Sequence, residues 1–141
     1  MGSVQTTKKV NYEDIQMIIN NKPPNILLIN TLSLHEQSCI IPNTINASKE
    51  EKIINDNLKN SNIKIVLYGK NNSDRTVEEK YLKLQGLGFA NIYIYPGGIF
   101  EWLCLQDIYS DKNFRTTSKE LDILKFKPNS LFLNNSLTTI D

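Results

Sequence analysis

Apolar residues fall into two patterns along this chain. In the first, β-branched and aromatic residues run together without a break, in residues 25–30 (Asn-Ile-Leu-Leu-Ile-Asn), 63–68 (Ile-Lys-Ile-Val-Leu-Tyr) and 92–95 (Ile-Tyr-Ile-Tyr). Short unbroken runs suit strands of a parallel sheet covered on both faces, because a strand with one wet face would alternate. In the second, apolar residues recur at helical spacing: Tyr12, Ile15, Ile18 and Ile19, then Ile53, Ile54 and Leu58, then Val77, Tyr81, Leu84 and Leu87, then Phe100, Leu103, Cys104 and Ile108. The two patterns alternate. That order predicts one α/β domain with a mainly parallel central sheet and helices on both faces.

Local signals set the boundaries. Asn11 caps the first helix, with Glu13 and Asp14 where the dipole favours acids, and Pro23-Pro24 end it. Ser48, with Glu51 three residues on, reads as the capping box of the second. The third opens at Thr76 and ends at Gly88, and the fourth covers residues 99–109 after the Pro96-Gly97-Gly98 turn. Trp102 is expected in the core. Residues 117–125 read as a further short helix capped by Thr117 or Ser118, with Leu121 and Leu124 inward. The expected organisation is a flexible polar segment over residues 1–10, a domain over 11–127 and a tail over 128–141.

Composition narrows the function classes. The chain has 141 residues, 40% of them hydrophobic and 22% charged, with net charge +1, and only two of its sixteen basic residues are Arg. This describes a soluble globular protein and gives no footprint for nucleic acid. Enrichment in Asn, Ile and Lys reads as coding bias from an AT-rich genome. No apolar stretch approaches the ~20 residues of a membrane span, and no signal-peptide hydrophobic region follows the first residues. Cys39 and Cys104 fit no metal spacing, so no metal or cofactor is expected and the cysteines read as reduced, in the cytoplasm. The start Met-Gly-Ser-Val-Gln-Thr matches the N-myristoylation acceptor pattern at Gly2, with Thr6 in place; Lys8 and Lys9 would add weak attraction to an anionic leaflet. One acyl chain would give reversible membrane attachment only.

Ligands of open α/β sheets sit beyond the carboxyl ends of strands, where loops feed helix N-termini. Residues 63–76 have that form: an apolar strand, then Gly69, Lys70, Asn71, Asn72, Ser73, Asp74 and Arg75, then a helix opening at Thr76. The loop contains no obvious nucleophile. His35 and Cys39 lie four apart in a connection, where the spacing fixes no geometry, so they are not read as a catalytic pair. Cys104 falls on a helical core stripe and reads as buried and inert.

The order of these segments resembles a rhodanese domain over about residues 11–110. Residues 26–31 stand at the family's first strand, and Ile41-Pro42-Asn43-Thr44-Ile45-Asn46 resembles its His-Ile-Pro-Gly-Ala-Ile-Asn signature. Residues 65–75 resemble the active-site strand and loop, and Leu87-Gly88-Phe89, residues 92–95, Gly97-Gly98 and Trp102 the closing segment. The resemblance implies a catalytic cysteine at the first loop position, where this chain has Gly69. The family's Asp and Arg after the first strand fall at about Asn30 and Leu32, and the Gly and His before Ile-Pro at Cys39 and Ile40. Counted from Gly69 to Arg75 the loop has the seven-residue length of the dual-specificity cell-cycle phosphatases, which share the fold.

Two readings follow. In the first, the domain is a non-catalytic binding or regulatory module whose loop amides, with Lys70 and Arg75, attract an anionic group on a protein partner or small molecule. In the second it is a sulfurtransferase or phosphatase using a displaced thiol, for which Cys39 is the candidate.

Overall fold

The computed structural model describes residues 7–133. Four strands, β1 (Lys8–Lys9), β2 (Ile26–Asn30), β3 (Lys64–Tyr68) and β4 (Ile92–Ile94), form one parallel sheet in the order β1-β4-β3-β2. Accompanying them are the helices α1 (Tyr12–Asn21), α2 (Ala47–Asp56), α3 (Arg75–Gly86) and α4 (Gly98–Tyr109). Strands β2 and β3 are in register from Ile26 opposite Lys64 to Asn30 opposite Tyr68.

Strands β2, β3 and β4 send alternate residues to two separate cores. Leu28, Val66, Tyr68 and Tyr95 pack with α1, α4 and residues of the C-terminal segment such as Phe114 and Phe126. Ile29, Ile65, Leu67 and Ile92 pack with Ile54 of α2 and Val77 and Leu84 of α3. This is the two-sided burial that unbroken apolar runs imply.

Residues 8–9 do not stand apart as a polar leader. They pair with Tyr93 and Ile94, and the Val10 amide donates to the Ile94 carbonyl at 2.9 Å. An edge strand of two lysines pairs through its backbone, with the Lys8 ammonium 5.5 Å from the Tyr93 ring centroid, so no apolar pattern announces it. The second helix is capped by Asn46 rather than Ser48: the Asn46 side-chain oxygen accepts the Ser48 amide at 2.9 Å, and Ser48 sits inside the helix. The third begins at Arg75 behind the cap Asp74, and Gly88 takes the left-handed φ of +106° beyond its end.

Several residues of the expected helical stripes lie at the surface, Tyr12 among them. Leu58 and Leu87 follow the last residues of α2 and α3, where the helical period no longer places side chains, and both are exposed. Ile108 is 70% exposed, because the buried stripe of α4 is Ile99, Trp102 and Leu103. Cys104 is half-buried. Trp102 is fully buried and donates its indole N–H to the Arg115 carbonyl at 2.8 Å.

The predicted helix over residues 117–125 is replaced by irregular chain and a 3₁₀ turn, Ile123–Phe126. Leu121 is 82% exposed and Leu124 63%, while Phe126 is buried. Side-chain and backbone bonds hold this segment instead of a helical ladder. Thr117 and Ser118 hydroxyls donate to the Ser38 carbonyl at 3.0 and 2.7 Å, and the Thr117 amide donates to the Ile40 carbonyl at 2.9 Å. Residues 110–127 therefore form a strap tied to α4 and to the connection after β2.

Candidate functional site

Strand β3 ends at Tyr68, and the loop 69–74 leads to α3. The loop rests on the start of α4: the Ile99 and Phe100 amides donate to the Gly69 and Lys70 carbonyls at 2.9 and 2.8 Å. The approach is close enough to require glycine on the helix side. Gly98 has a φ of +64°, and a Cβ there would stand 2.5 Å from the Gly69 oxygen.

The loop then folds its own acid inward. Asp74 accepts the Lys70 amide on Oδ2 at 2.8 Å, and the Thr76 amide and hydroxyl on Oδ1 at 3.0 and 2.6 Å. A Cβ at position 69 would meet Asp74 Oδ2 at 2.5 Å, a Val77 methyl at 2.6 Å and the Thr31 hydroxyl at 2.8 Å. The space in which a side chain of residue 69 would begin is thus filled by Asp74, Val77 and Thr31. The Ser73 amide donates to Asn71 Oδ1 at 2.9 Å. The Lys70, Ser73 and Thr76 amides accordingly bond to acceptors of the chain itself, and the first free amides of α4 bond to loop carbonyls.

Asn71 is buried and donates to the Phe126 carbonyl at 2.8 Å, so the loop and the strap are fastened together. Between them lies an open cup of about 350 Å³ lined by Lys70, Asn71, Ser73, Asp74, Arg75, Lys125, Lys127 and Asn129. Lys70 pairs with Glu36 at 3.4 Å, and Lys125 with Glu120. Burial alone would raise the Glu36 pKa, but the Ser33 hydroxyl and amide, with Lys70, hold it below the usual carboxylate range. Among the described residues no salt bridge engages Arg75 or Lys127, and both are exposed. On the other side of the loop a wider concavity of about 520 Å³ is bounded by Thr7, Lys9, Asn72, Arg75, Glu78 and Tyr81, among others.

The remaining candidates are dispersed. Cys39 is buried and donates its thiol to the Ser118 carbonyl at 3.2 Å. Burial pushes its pKa up, the opposite of what an attacking thiolate needs. His35 is exposed, with its ring beside the Ser33 hydroxyl. Asn30 braces the turn after β2, accepting the Leu32 amide at 2.9 Å and the Gln37 side chain at 2.7 Å. Among the described residues no cluster of His, Cys, Asp and Glu is arranged to hold a metal ion, and no helix is long and apolar enough to cross a membrane. Gly2 and Thr6 lie outside the described residues.

The model of the rhodanese-like domain family matches residues 13–104. The chain belongs to that family. Solved structures agree at the level of fold. The BH2092 protein from Bacillus halodurans superposes with a TM-score of 0.57 at 14% identity, over 86% of this chain and 90% of that one. An uncharacterized protein from Saccharomyces cerevisiae gives 0.56 at 19% identity, over 71% and 93%. The rhodanese-like domain of an Anabaena protein gives 0.54 at 14% identity, over 71% and 76%. No curated protein sequence matches the chain.

In this rhodanese-like domain the strap and the residues just after it lie beyond the matched residues, and they supply Lys125, Lys127 and Asn129 to the cup. Sequence reasoning found Lys70 and Arg75 but missed these three. The bond from Asn71 to Phe126 joins segments 55 positions apart at the site, and no local pattern carries it. It also read Asp74 as one more polar loop residue. The available signal was Asp two positions before Thr76, a helix cap in its own right.

Proposed function

We propose that this rhodanese-like domain is a non-catalytic binding or regulatory module that reads an anionic group beside the loop 69–76. The observation that carries the reading is Asp74 folded over Gly69. Sulfur or phosphoryl transfer in this fold requires a thiolate at that position to form the covalent adduct. Glycine offers none, and the adjoining space is taken by a carboxylate, which disfavours a second negative charge. Cys39, the alternative nucleophile, is supported neither by its burial nor by its raised pKa. With the Lys70, Ser73, Asp74 and Thr76 amides bonded within the chain, much of the attraction for an anion falls to the side chains of Lys70, Arg75 and their neighbours.

The test is enzymatic. Purified protein is expected to show no thiosulfate–cyanide sulfurtransferase and no aryl-phosphatase turnover. Gly69→Cys is expected to stay inactive, with its thiol titrating above the free value of about 8.5 because it faces the Asp74 carboxylate. Turnover by the wild-type protein that disappears in Cys39→Ser would establish the enzyme reading instead.

A further inference from the structure

We propose that this chain forms a symmetric dimer in which an apolar turn of each copy docks on an apolar rim of the other. The inference goes beyond the anion-reading role above and does not depend on it. The turn is Leu131, Phe132 and Leu133, which take helical conformation, with the Leu133 amide donating to Ser130 Oγ at 3.1 Å. Consecutive helical residues point about 100° apart, so these three spread over about 200° of the circumference. A helical surface apolar over so wide an arc is one that proteins bury.

The rim is Leu34, Leu121 and Leu124. Two ion pairs and the cup bring these leucines to one side of the molecule. Leu34 precedes Glu36, which holds Lys70 at 3.4 Å, and Leu121 and Leu124 lie inside the stretch closed by the Glu120–Lys125 pair. Lys70 and Lys125 line the same cup, and so does Asn129, two residues before the turn. Yet turn and rim do not cover each other within one chain, since all six side chains are 63–83% exposed.

A second copy is the occupant that satisfies both surfaces. A foreign groove closing on the turn would leave the rim bare, whereas reciprocal docking covers turn and rim with one contact made twice. Area agrees: at on the order of 100 Å² apiece, six such side chains offer about 600 Å². That is most of the roughly 800 Å² per partner in a standard interface. Charge agrees as well. On the strap Lys119, Lys125 and Lys127 stand among Glu120 and Asp122. Beside it Lys70 is paired with Glu36, and Arg75 adjoins Asp74. Neither sign predominates, so a strongly acidic or basic partner has no advantage, and two copies of net charge +1 repel each other little.

The experiment is sedimentation equilibrium of the full chain from micromolar to millimolar concentration. The expected result is a mass that rises from one chain to two and stops there. Phe132→Asp and Leu121→Asp should each weaken dimerisation by about tenfold or more, because each places an unpaired carboxylate in both contacts of the dimer. A mixture of the two variants should dimerise more tightly than either alone. In that mixture the Leu121→Asp copy still offers its Phe132 to the intact rim of the other. Leu82→Asp, at an exposed position of α3 that belongs to neither surface, should change nothing. All three positions are exposed, and unchanged amide spectra of the variants will show that the fold is kept.

A single-chain mass at every concentration would overturn the proposal, including the case in which lipid vesicles capture the monomer through Phe132. So would a dimer whose affinity survives both Phe132→Asp and Leu121→Asp, since it would form elsewhere on the molecule. A mixture no tighter than the separate variants would overturn reciprocal docking. Growth beyond two chains would overturn the closed dimer in favour of head-to-tail assembly. The anion-reading role stands or fails separately, through the turnover assays above.

Discussion

The two faces of the sheet are built from different materials. The face under α2 and α3 is almost wholly aliphatic, with Phe89 the one buried aromatic ring among the described residues and Tyr81 partly buried against it. The face under α1, α4 and the strap gathers Tyr68, Tyr95, Trp102, Phe114 and Phe126. Trp102 meets Tyr95 edge-on at 6.4 Å and Phe114 at 5.1 Å. Aliphatic packing is non-directional and suits regular elements. Aromatic residues add polar handles that specify irregular ones. Trp102 fixes the strap through the Arg115 carbonyl. The Tyr68 hydroxyl accepts the Ile41 amide at 3.1 Å and bonds with the Thr44 hydroxyl at 2.7 Å, which fixes the connection after β2. One face holds the scaffold together; the other also positions the segments that make the cup.

Truncation on each face separates these roles. Trp102→Ala should cost roughly 3–5 kcal/mol, because it removes the largest buried side chain and the strap's anchor together. Leu84→Ala, on the aliphatic face, should cost about 2–4 kcal/mol. Denaturant melts give these losses, and hydrogen exchange distinguishes them. Amides of residues 114–117 should lose protection out of proportion in Trp102→Ala and only in step with global stability in Leu84→Ala. A loss below about 1 kcal/mol for Trp102→Ala, or equal exchange patterns in the two variants, would erase the distinction drawn between the faces.

A smaller effect is expected at the loop. Gly69→Ala should cost about 1–3 kcal/mol, since its methyl must displace the Asp74 carboxylate and crowd the Val77 methyl. Asp74→Ala alone should cost roughly 0.5–2 kcal/mol as a lost cap. The double variant should cost less than the sum, because both changes break the same contact. Strict additivity would mean that the carboxylate does not occupy the space over Gly69.

The smallest effect is electrostatic. The Glu36 pKa is depressed in the folded protein, so its contribution to stability is complete above the unfolded carboxylate value of about 4.3 and declines as pH falls through the lower folded value. In acid melts, Glu36→Gln should be less sensitive than the wild type to falling pH over that window. Parallel curves would show that the Ser33 and Lys70 contacts of the Glu36 carboxylate together contribute nothing.

Much of this molecule was legible in its order of residues. The unbroken runs at 26–29, 63–68 and 92–95 placed three strands, because burial on both faces leaves a simple signature. Asn11, the Gly88 stop, the Gly97-Gly98 turn and buried Trp102 were legible for similar local reasons. They depend on short-range backbone rules or on the size of one side chain. The positions of Leu58, Leu87 and Ile108 were not, since helical period says nothing of where a helix overhangs its sheet.

The site divides along the same line. Sequence alone determined that residue 69 carries no thiol and that Lys70 and Arg75 flank the loop. Only the tertiary structure decided what occupies the loop and what completes the cup. Asp74 turns inward, where the Lys70 amide and Thr76 donate to it, and Lys127 lines the same cup as Arg75 on a segment that Asn71 helps to hold through the Phe126 carbonyl, 55 residues away. Such choices depend on which distant groups are left unpaired once the core has closed, and that information exists only after the chain has folded.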